Sequence, residues 1–140
     1  MYVLLRHAEK KSGIDPSLTE KGRERAKALA RMLGESQDIS IFSTAYNRTN
    51  ETVTPLAEKT GQPIIEYDRG DIPSLAATLD ETSGIRCVVG HSISTMALLQ
   101  ELTGIVDDPI DEGTEFDRMY LFGKPITISN RPLLVRYGEK

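Results

Sequence analysis

Apolar positions along this chain come in short runs separated by longer amphipathic stretches. The run "YVLL" (2–5) comes first, and "ISIFS" (39–43), "PIIEY" (63–67) and "IRCVVG" (85–90) follow it. Runs of this length, bounded by polar or turn-forming residues, predict β-strands. "IRCVVG" is apolar enough to predict a central strand. Between the runs the period becomes helical. In "SLTEKGRERAKALARMLGE", Ala26, Leu29, Ala30 and Leu33 fall at i, i+3, i+4 and i+7. Thr19 stands where an N-cap belongs and Gly34 where a C-cap belongs. "YNRTNETVTPLAEKT" predicts a second helix ended by Gly61, with a kink or break at Pro55. Residues 68–74, "DRGDIPS", predict a loop, and 75–80 a short helix. "SISTMALLQELTG" (92–104) predicts a helix closed by Gly104. Residues 105–118 are acidic and irregular. "RMYLFG" and "RPLLVRY" predict the final strands, with "PITIS" a further strand candidate between them.

Alternating strands and helices predict an α/β fold: a three-layer sandwich whose mostly parallel central sheet carries helices on both faces. The last strands follow one another without helices, which predicts an antiparallel edge. The 140 residues fit a single domain, 1–140. In such sheets ligands bind beyond the carboxyl ends of the strands.

Composition narrows the function classes. A net charge of −4 argues against a nucleic-acid-binding surface. One cysteine, Cys87, rules out an internal disulfide, and with only two histidines a Cys/His zinc cluster is out of reach. No metal site or cofactor is expected. No apolar run approaches the roughly 20 residues of a membrane span. No secretory pattern precedes the first strand, so the expected compartment is the cytoplasm unless a leader has been removed.

The two histidines, His7 and His91, each follow directly on an apolar run, in "YVLLRH" and "CVVGH". A parallel sheet puts both on the same rim. Arg6 adjoins His7, and Arg48 follows the second strand near a helix start on that rim. Arginine offers a planar fork of donors that matches phosphate oxygens and stays charged at any working pH. Helix N-termini near Arg48 and Ser92 add backbone N–H groups and a favourable dipole. The constellation suits a phosphoryl group. Read singly, each histidine could instead be a structural residue bonded to a backbone carbonyl, and Arg48 a solvated helix residue.

These residues carry a family resemblance. "LLRHAEK" resembles the R-H-G/A signature of the histidine phosphatase superfamily, the phosphoglycerate-mutase-like fold. "DPSLTEKGRERA" resembles its L-T-x-x-G-x-x-Q/R-A stretch, "IFSTAYNRTNETV" its S-x-x-x-R-x-x-x-T segment, and "VVGHS" its second-histidine motif. The four occur in the family's order over roughly 2–122. The resemblance implies that His7 is the nucleophile, forming a phosphohistidine, while Arg6 and Arg48 hold the equatorial oxygens and His91 contacts the phosphoryl group. Ser92 and Glu9 join the binding residues. A histidine with a pKa of about 6.5 is largely neutral at pH 7, so its lone pair is available. Phosphoryl transfer needs mostly positioning and positive charge, which arginines and histidines supply without a metal.

The sequence also departs from the pattern. Many family members place a Glu or Asp after the third strand, or directly after the second histidine, as general acid. Ser92 occupies the latter position. Glu66, Asp68 and Asp71 lie in the former region, and Asp68 and Asp71 are the candidates; turn chemistry is their alternative role. Glu9, two residues past His7, either takes part or orients an arginine. Only residues 61 to 85 separate the second helix from the fourth strand, so no sizeable lid fits. An open pocket suits a phosphoprotein or a loosely selected small ester, and a poorly placed acid favours good leaving groups such as phosphohistidine, acyl or aryl phosphate. The expected function is a phosphatase acting on phosphate monoesters or phosphoramidates of small molecules or phosphoproteins. Phosphoglycerate-mutase-type transfer and a non-catalytic phosphate-binding module are the alternatives. "GHSIS" resembles a serine nucleophile elbow, but no histidine follows His91. Cys87 lacks the arginine six residues on that a cysteine phosphatase needs, because Ile93 stands there.

Overall fold

Every residue of the first strand is buried, and its side chains alternate between two cores. A computed structural model describes residues 1–138. The first strand is β1 (Tyr2–Arg6), followed by α1 (Glu20–Leu33), β2 (Ile39–Ser43), α2 (Asn47–Thr60), β3 (Ile64–Glu66) and α3 (Ile72–Glu81). Then come β4 (Ile85–Gly90), α4 (Ser92–Thr103), β5 (Arg118–Phe122) and β6 (Leu133–Arg136). The six strands form one sheet in the order β3-β2-β4-β1-β5-β6. The β1–β4, β2–β4 and β2–β3 pairs are parallel; β5 runs antiparallel to β1, and β6 antiparallel to β5. The chain is therefore an α/β sandwich with a parallel centre and an antiparallel edge, and β4 is central.

The period-2 alternation of a strand sends successive side chains to opposite faces. Val3 and Leu5 join Ile41, Cys87 and Val89 against α1 and α2, through Leu29, Leu33, Val53 and Leu56. Tyr2 and Leu4 join Phe42 and Val88 against α3 and α4, through Leu75, Leu79, Leu98 and Leu102. Helices thus cover both faces. Thr19 caps α1, its hydroxyl accepting from Gly22 N, and Gly61 and Gly104 close α2 and α4 at φ of 73° and 75°. Those positive φ values carry no steric penalty in glycine.

Three sequence expectations need correction. Pro55 neither breaks nor ends α2, which runs through it. Thr49, Thr52, Val53 and Leu56 bury the inner face of α2, and that packing outweighs a missing N–H worth about 3 kcal/mol. Helix α3 starts at Ile72 rather than at 75, because Asp71 caps it by accepting from Ser74 N. "PITIS" is not a strand: only an isolated bridge, Thr127 to Asn130, forms there.

Among the described residues no helix is long and apolar enough to cross a membrane, and no group of three or more His, Cys, Asp or Glu could hold a metal ion.

Candidate active site

The register of the parallel centre decides which side chains meet. Arg6 lies opposite Gly90, and Ser43 opposite Val89, so β1, β2 and β4 end together. His7 N donates to Gly90 O at 2.8 Å, which carries the pairing one residue past the strands. His7 and His91 emerge side by side, with ring centroids 5.7 Å apart and planes at 66°. Both are buried, as is Arg6.

Each histidine has its tautomer fixed by its neighbours. His7 Nδ1 lies 2.8 Å from Ala8 O. A carbonyl only accepts, so Nδ1 carries the proton and Nε2 the lone pair. Arg6 Nη2 stands 3.4 Å from that Nε2. His91 Nε2 lies 3.0 Å from Thr44 Oγ1. The Thr44 hydroxyl donates to Thr49 Oγ1, and the Thr49 hydroxyl donates to Thr44 O, both at 2.9 Å. With its own proton used, Thr44 Oγ1 accepts from His91 Nε2–H. The lone pair of His91 is then on Nδ1, 3.4 Å from Arg48 Nη2. Burial, and after it the charge of the arginines, push both rings down. His7 falls to about 3, against a smaller upward pull from its Ala8 bond, and His91 to about 4. Both are neutral at neutral pH, so His7 Nε2 is unprotonated and its lone pair faces Arg6 Nη2.

The arginines are held by backbone and by aromatic faces. Arg6 Nη1 donates to the carbonyls of Glu112 (3.1 Å) and Glu115 (3.0 Å), and the guanidinium lies 4.3 Å from the Phe116 ring centroid. The acidic stretch therefore grips Arg6 with carbonyl oxygens rather than carboxylates. Arg118 ties that stretch down, donating to Glu115 Oε2 at 2.7 Å and to Pro109 O at 3.1 Å. Arg48 rests 4.6 Å from the Tyr46 ring centroid. The Nε atoms of Arg6 and Arg48 are buried without a protein acceptor. Buried donors are nearly always satisfied, so two orphaned guanidinium donors beside two neutral histidines describe a place for an oxyanion. The backbone N–H groups at the start of α4, just past His91, face the same rim.

Thr52 joins the two halves of the cluster. Its hydroxyl accepts from Ala8 N at 2.9 Å and donates to Arg48 O at 2.7 Å. A cavity of about 480 Å³ opens over the cluster, lined by His7, Arg48, His91 and Ser92, and also by Lys10, Arg69 and Glu112. Ile72, Ile93 and Ala97 supply an apolar wall.

The sequence-predicted residues divide accordingly. Arg6, His7, Arg48, His91 and Ser92 come together. Glu9 does not join them. Its carboxylate forks Arg25 at 2.8 Å for both oxygens and lies 3.9 Å from Lys21. Burial works against the charged form of Glu9, but the Arg25 fork outweighs it and holds the carboxyl below its usual range. The lesser role, orienting an arginine, is the one the geometry gives it. Asp68 accepts from Gly70 N at 2.8 Å in a turn, Asp71 caps α3, and Glu66 is exposed at the end of β3. None of the three lines the cavity. The short side chains of Asp68 and Asp71 satisfy local backbone N–H groups instead, which is the usual competing use of aspartate. Sequence reasoning passed over Thr44, Tyr46 and Thr52, although all three sit in the segment quoted for Arg48. It passed over Arg69 because the "YDRGDIP" loop was read for its acids. Glu112 lies in the acidic, irregular stretch 105–118, where the sequence marks no single residue.

Residues 2–69 match the model of the histidine phosphatase superfamily, branch 1. Phosphoserine phosphatase 1 of Hydrogenobacter thermophilus is 33% identical over 75 residues, which cover 48% of this chain and 36% of that protein. The chain thus spans about a third of the length of this curated relative. Among solved structures, the protein histidine phosphatase SixA complexed with tungstate superposes with a TM-score of 0.68 at 16% identity, covering 98% of this chain and 95% of that one. A mycobacterial glucosyl-3-phosphoglycerate phosphatase complexed with VO3 gives 0.70 at 18% identity, covering 99% and 98%. At such identities these two matches speak for the fold. The chain is thus similar to the histidine phosphatase superfamily in sequence over residues 2–69 and shares the fold of these solved structures over nearly its whole length.

Proposed function

We propose that this protein is a phosphatase that hydrolyses phosphate monoesters or phosphoramidates through a phosphohistidine on His7. One observation carries the reading: the Nδ1–H bond to Ala8 O leaves the Nε2 lone pair free beside Arg6 Nη2. Nε2 attacks phosphorus, the P–N bond forms, and the P–O or P–N bond to the leaving group breaks with its electron pair. Water then attacks the phosphohistidine, releasing phosphate and restoring the neutral ring. Arg6, Arg48 and the start of α4 offer positive charge to the equatorial oxygens through both steps. His91, beside Arg48, gains a proton more readily once a phosphate dianion sits next to it.

Among the described residues, Glu112 is the only acidic one that lines the cavity. Leaving groups that depart without strong acid assistance therefore fit best: phosphohistidine, acyl phosphate or aryl phosphate, on a small molecule or a phosphoprotein. The test is p-nitrophenyl phosphate turnover by the wild type and by His7→Ala. The expected result is release that His7→Ala lowers by at least about a thousandfold, in line with the loss of a nucleophile. Wild-type protein quenched during turnover is expected to carry an acid-labile, base-stable phosphoryl group. Full activity in His7→Ala defeats the reading, and so does equal turnover of aryl and alkyl phosphates for the leaving-group preference.

A further inference from the structure

Arg118 and Arg136 stand directly opposite one another in the β5–β6 register. Like charges facing across an antiparallel pair are unfavourable, so a carboxylate is needed between them. Glu115 supplies it. Its carboxylate accepts from Arg118 Nε at 2.7 Å and Nη2 at 2.9 Å, and from Arg136 Nη1 at 2.7 Å. It also accepts from Asp111 N at 3.0 Å. The Arg118 bond, ahead of the others, holds the carboxyl down to about 2, so this anchor stays charged at any working pH.

The same residue turns its backbone to the active site. Glu115 O accepts from Arg6 Nη1 at 3.0 Å, beside Glu112 O at 3.1 Å. Residues 111–115 close on themselves: Glu115 N donates to Asp111 O at 2.9 Å, and Asp111 Oδ1 accepts from Gly113 N at 3.0 Å. Arg118 holds the start of the loop as well, through Asp108 O at 2.6 Å and Pro109 O at 3.1 Å. The ring of Phe116, the next residue, lies against the Arg6 guanidinium. A planar guanidinium with Nη1 committed to carbonyls and one face on a ring cannot turn freely. Its remaining donors are Nε, buried without an acceptor, and Nη2, 3.4 Å from His7 Nε2. That edge is the fork a phosphoryl group would meet.

We infer that Glu115 is a positioning residue: its carboxylate, fixed by Arg118 and Arg136, sets the loop whose carbonyls turn the Nε–Nη2 edge of Arg6 to the phosphoryl group. This rests on the phosphatase reading above. Ion pairs, exposed or buried, add little net stability, whereas a small misplacement of a group that holds the reacting centre costs a large factor in rate. The cluster therefore matters more for orientation than for folding.

The test is a double-mutant cycle between Glu115→Gln and Arg6→Met, read as kcat/KM for p-nitrophenyl phosphate and as the Kd of inorganic phosphate by calorimetry. With Arg6 present, Glu115→Gln is expected to lower kcat/KM about tenfold and to weaken phosphate binding by a similar factor. With Arg6→Met in place it is expected to change kcat/KM by less than about twofold, because the group it positions is gone. Arg136→Gln removes one exposed donor and leaves the Arg118 fork. It is expected to show the same pattern at about threefold, and it carries the test if Glu115→Gln does not fold. Equal losses in both backgrounds give Glu115 a structural role only and overturn the inference, as do unchanged kinetics in Glu115→Gln. If the wild type neither turns over the ester nor binds phosphate, or if His7→Ala is fully active, the phosphatase reading fails first and the inference falls with it.

Discussion

Thr44 sets the proton on His91, and it does so with a single hydroxyl. The chain from His91 Nε2–H through Thr44 to Thr49 ends on the carbonyls of Thr44 and Tyr46, at 2.9 and 3.1 Å, so its protons run in one direction. Thr44→Val removes the acceptor and leaves a buried N–H unpaired, at a cost of about 1–3 kcal/mol. The expected result is a kcat/KM reduced by roughly ten- to a hundredfold, with Thr44→Ser restoring most of it. Nitrogen shifts of His91 check the cause: the wild type is expected to show the Nε2–H form, and Thr44→Val a mixture. At this scale the sequence singled out two arginines and two histidines and passed over Tyr46, Arg69 and the hydroxyls. Arg6, His7, Arg48 and His91 stand out because their chemistry is rare in a strand end. Thr44 and Thr52 act through bonds to backbone and ring atoms several turns away, and a threonine that does this reads in sequence like any other.

Elements matter here through how closely they approach. Helix α1 starts against the backbone just past His7: Thr19 N donates to Glu9 O at 2.9 Å, and Gly22 sits so near that a Cβ there would collide with the same carbonyl oxygen. The obstacle is backbone and cannot swing aside. Gly22→Ala is therefore expected to lower stability by about 1–3 kcal/mol or more, seen as a lower urea midpoint at constant slope. It is also expected to lower activity, since relief of the clash displaces the segment that follows His7. Element types and order were readable because apolar runs and amphipathic stretches alternate cleanly. Errors fell where a tertiary contact overrode a local signal. Pro55 reads as a breaker until α2 is seen packed on the sheet.

The molecule as a whole pays for its neutral histidines at acid pH. Both have folded values below the ordinary 6.5, at about 3 for His7 and about 4 for His91. Below about pH 6.5 the unfolded chain binds protons that the folded chain refuses, so stability falls as pH falls, down through the folded values. Chemical denaturation between pH 7 and pH 4 is expected to show this decline, and His7→Gln with His91→Gln to flatten it. A stability that stays level over that range in the wild type would contradict the burial argument.

The hold on Arg6 by the carbonyls of Glu112 and Glu115 has a consequence for how such a protein can change. Peptide oxygens are present whatever side chain is attached. Glu115 still ties the loop to Arg118 through its carboxylate, but position 112 can exchange its side chain while its carbonyl keeps its grip on Arg6. Position 112 is the useful case, because its carbonyl holds Arg6 while its side chain lines the cavity. Selectivity can be rewritten there without reopening the chemistry, which makes position 112 the natural place to begin a library.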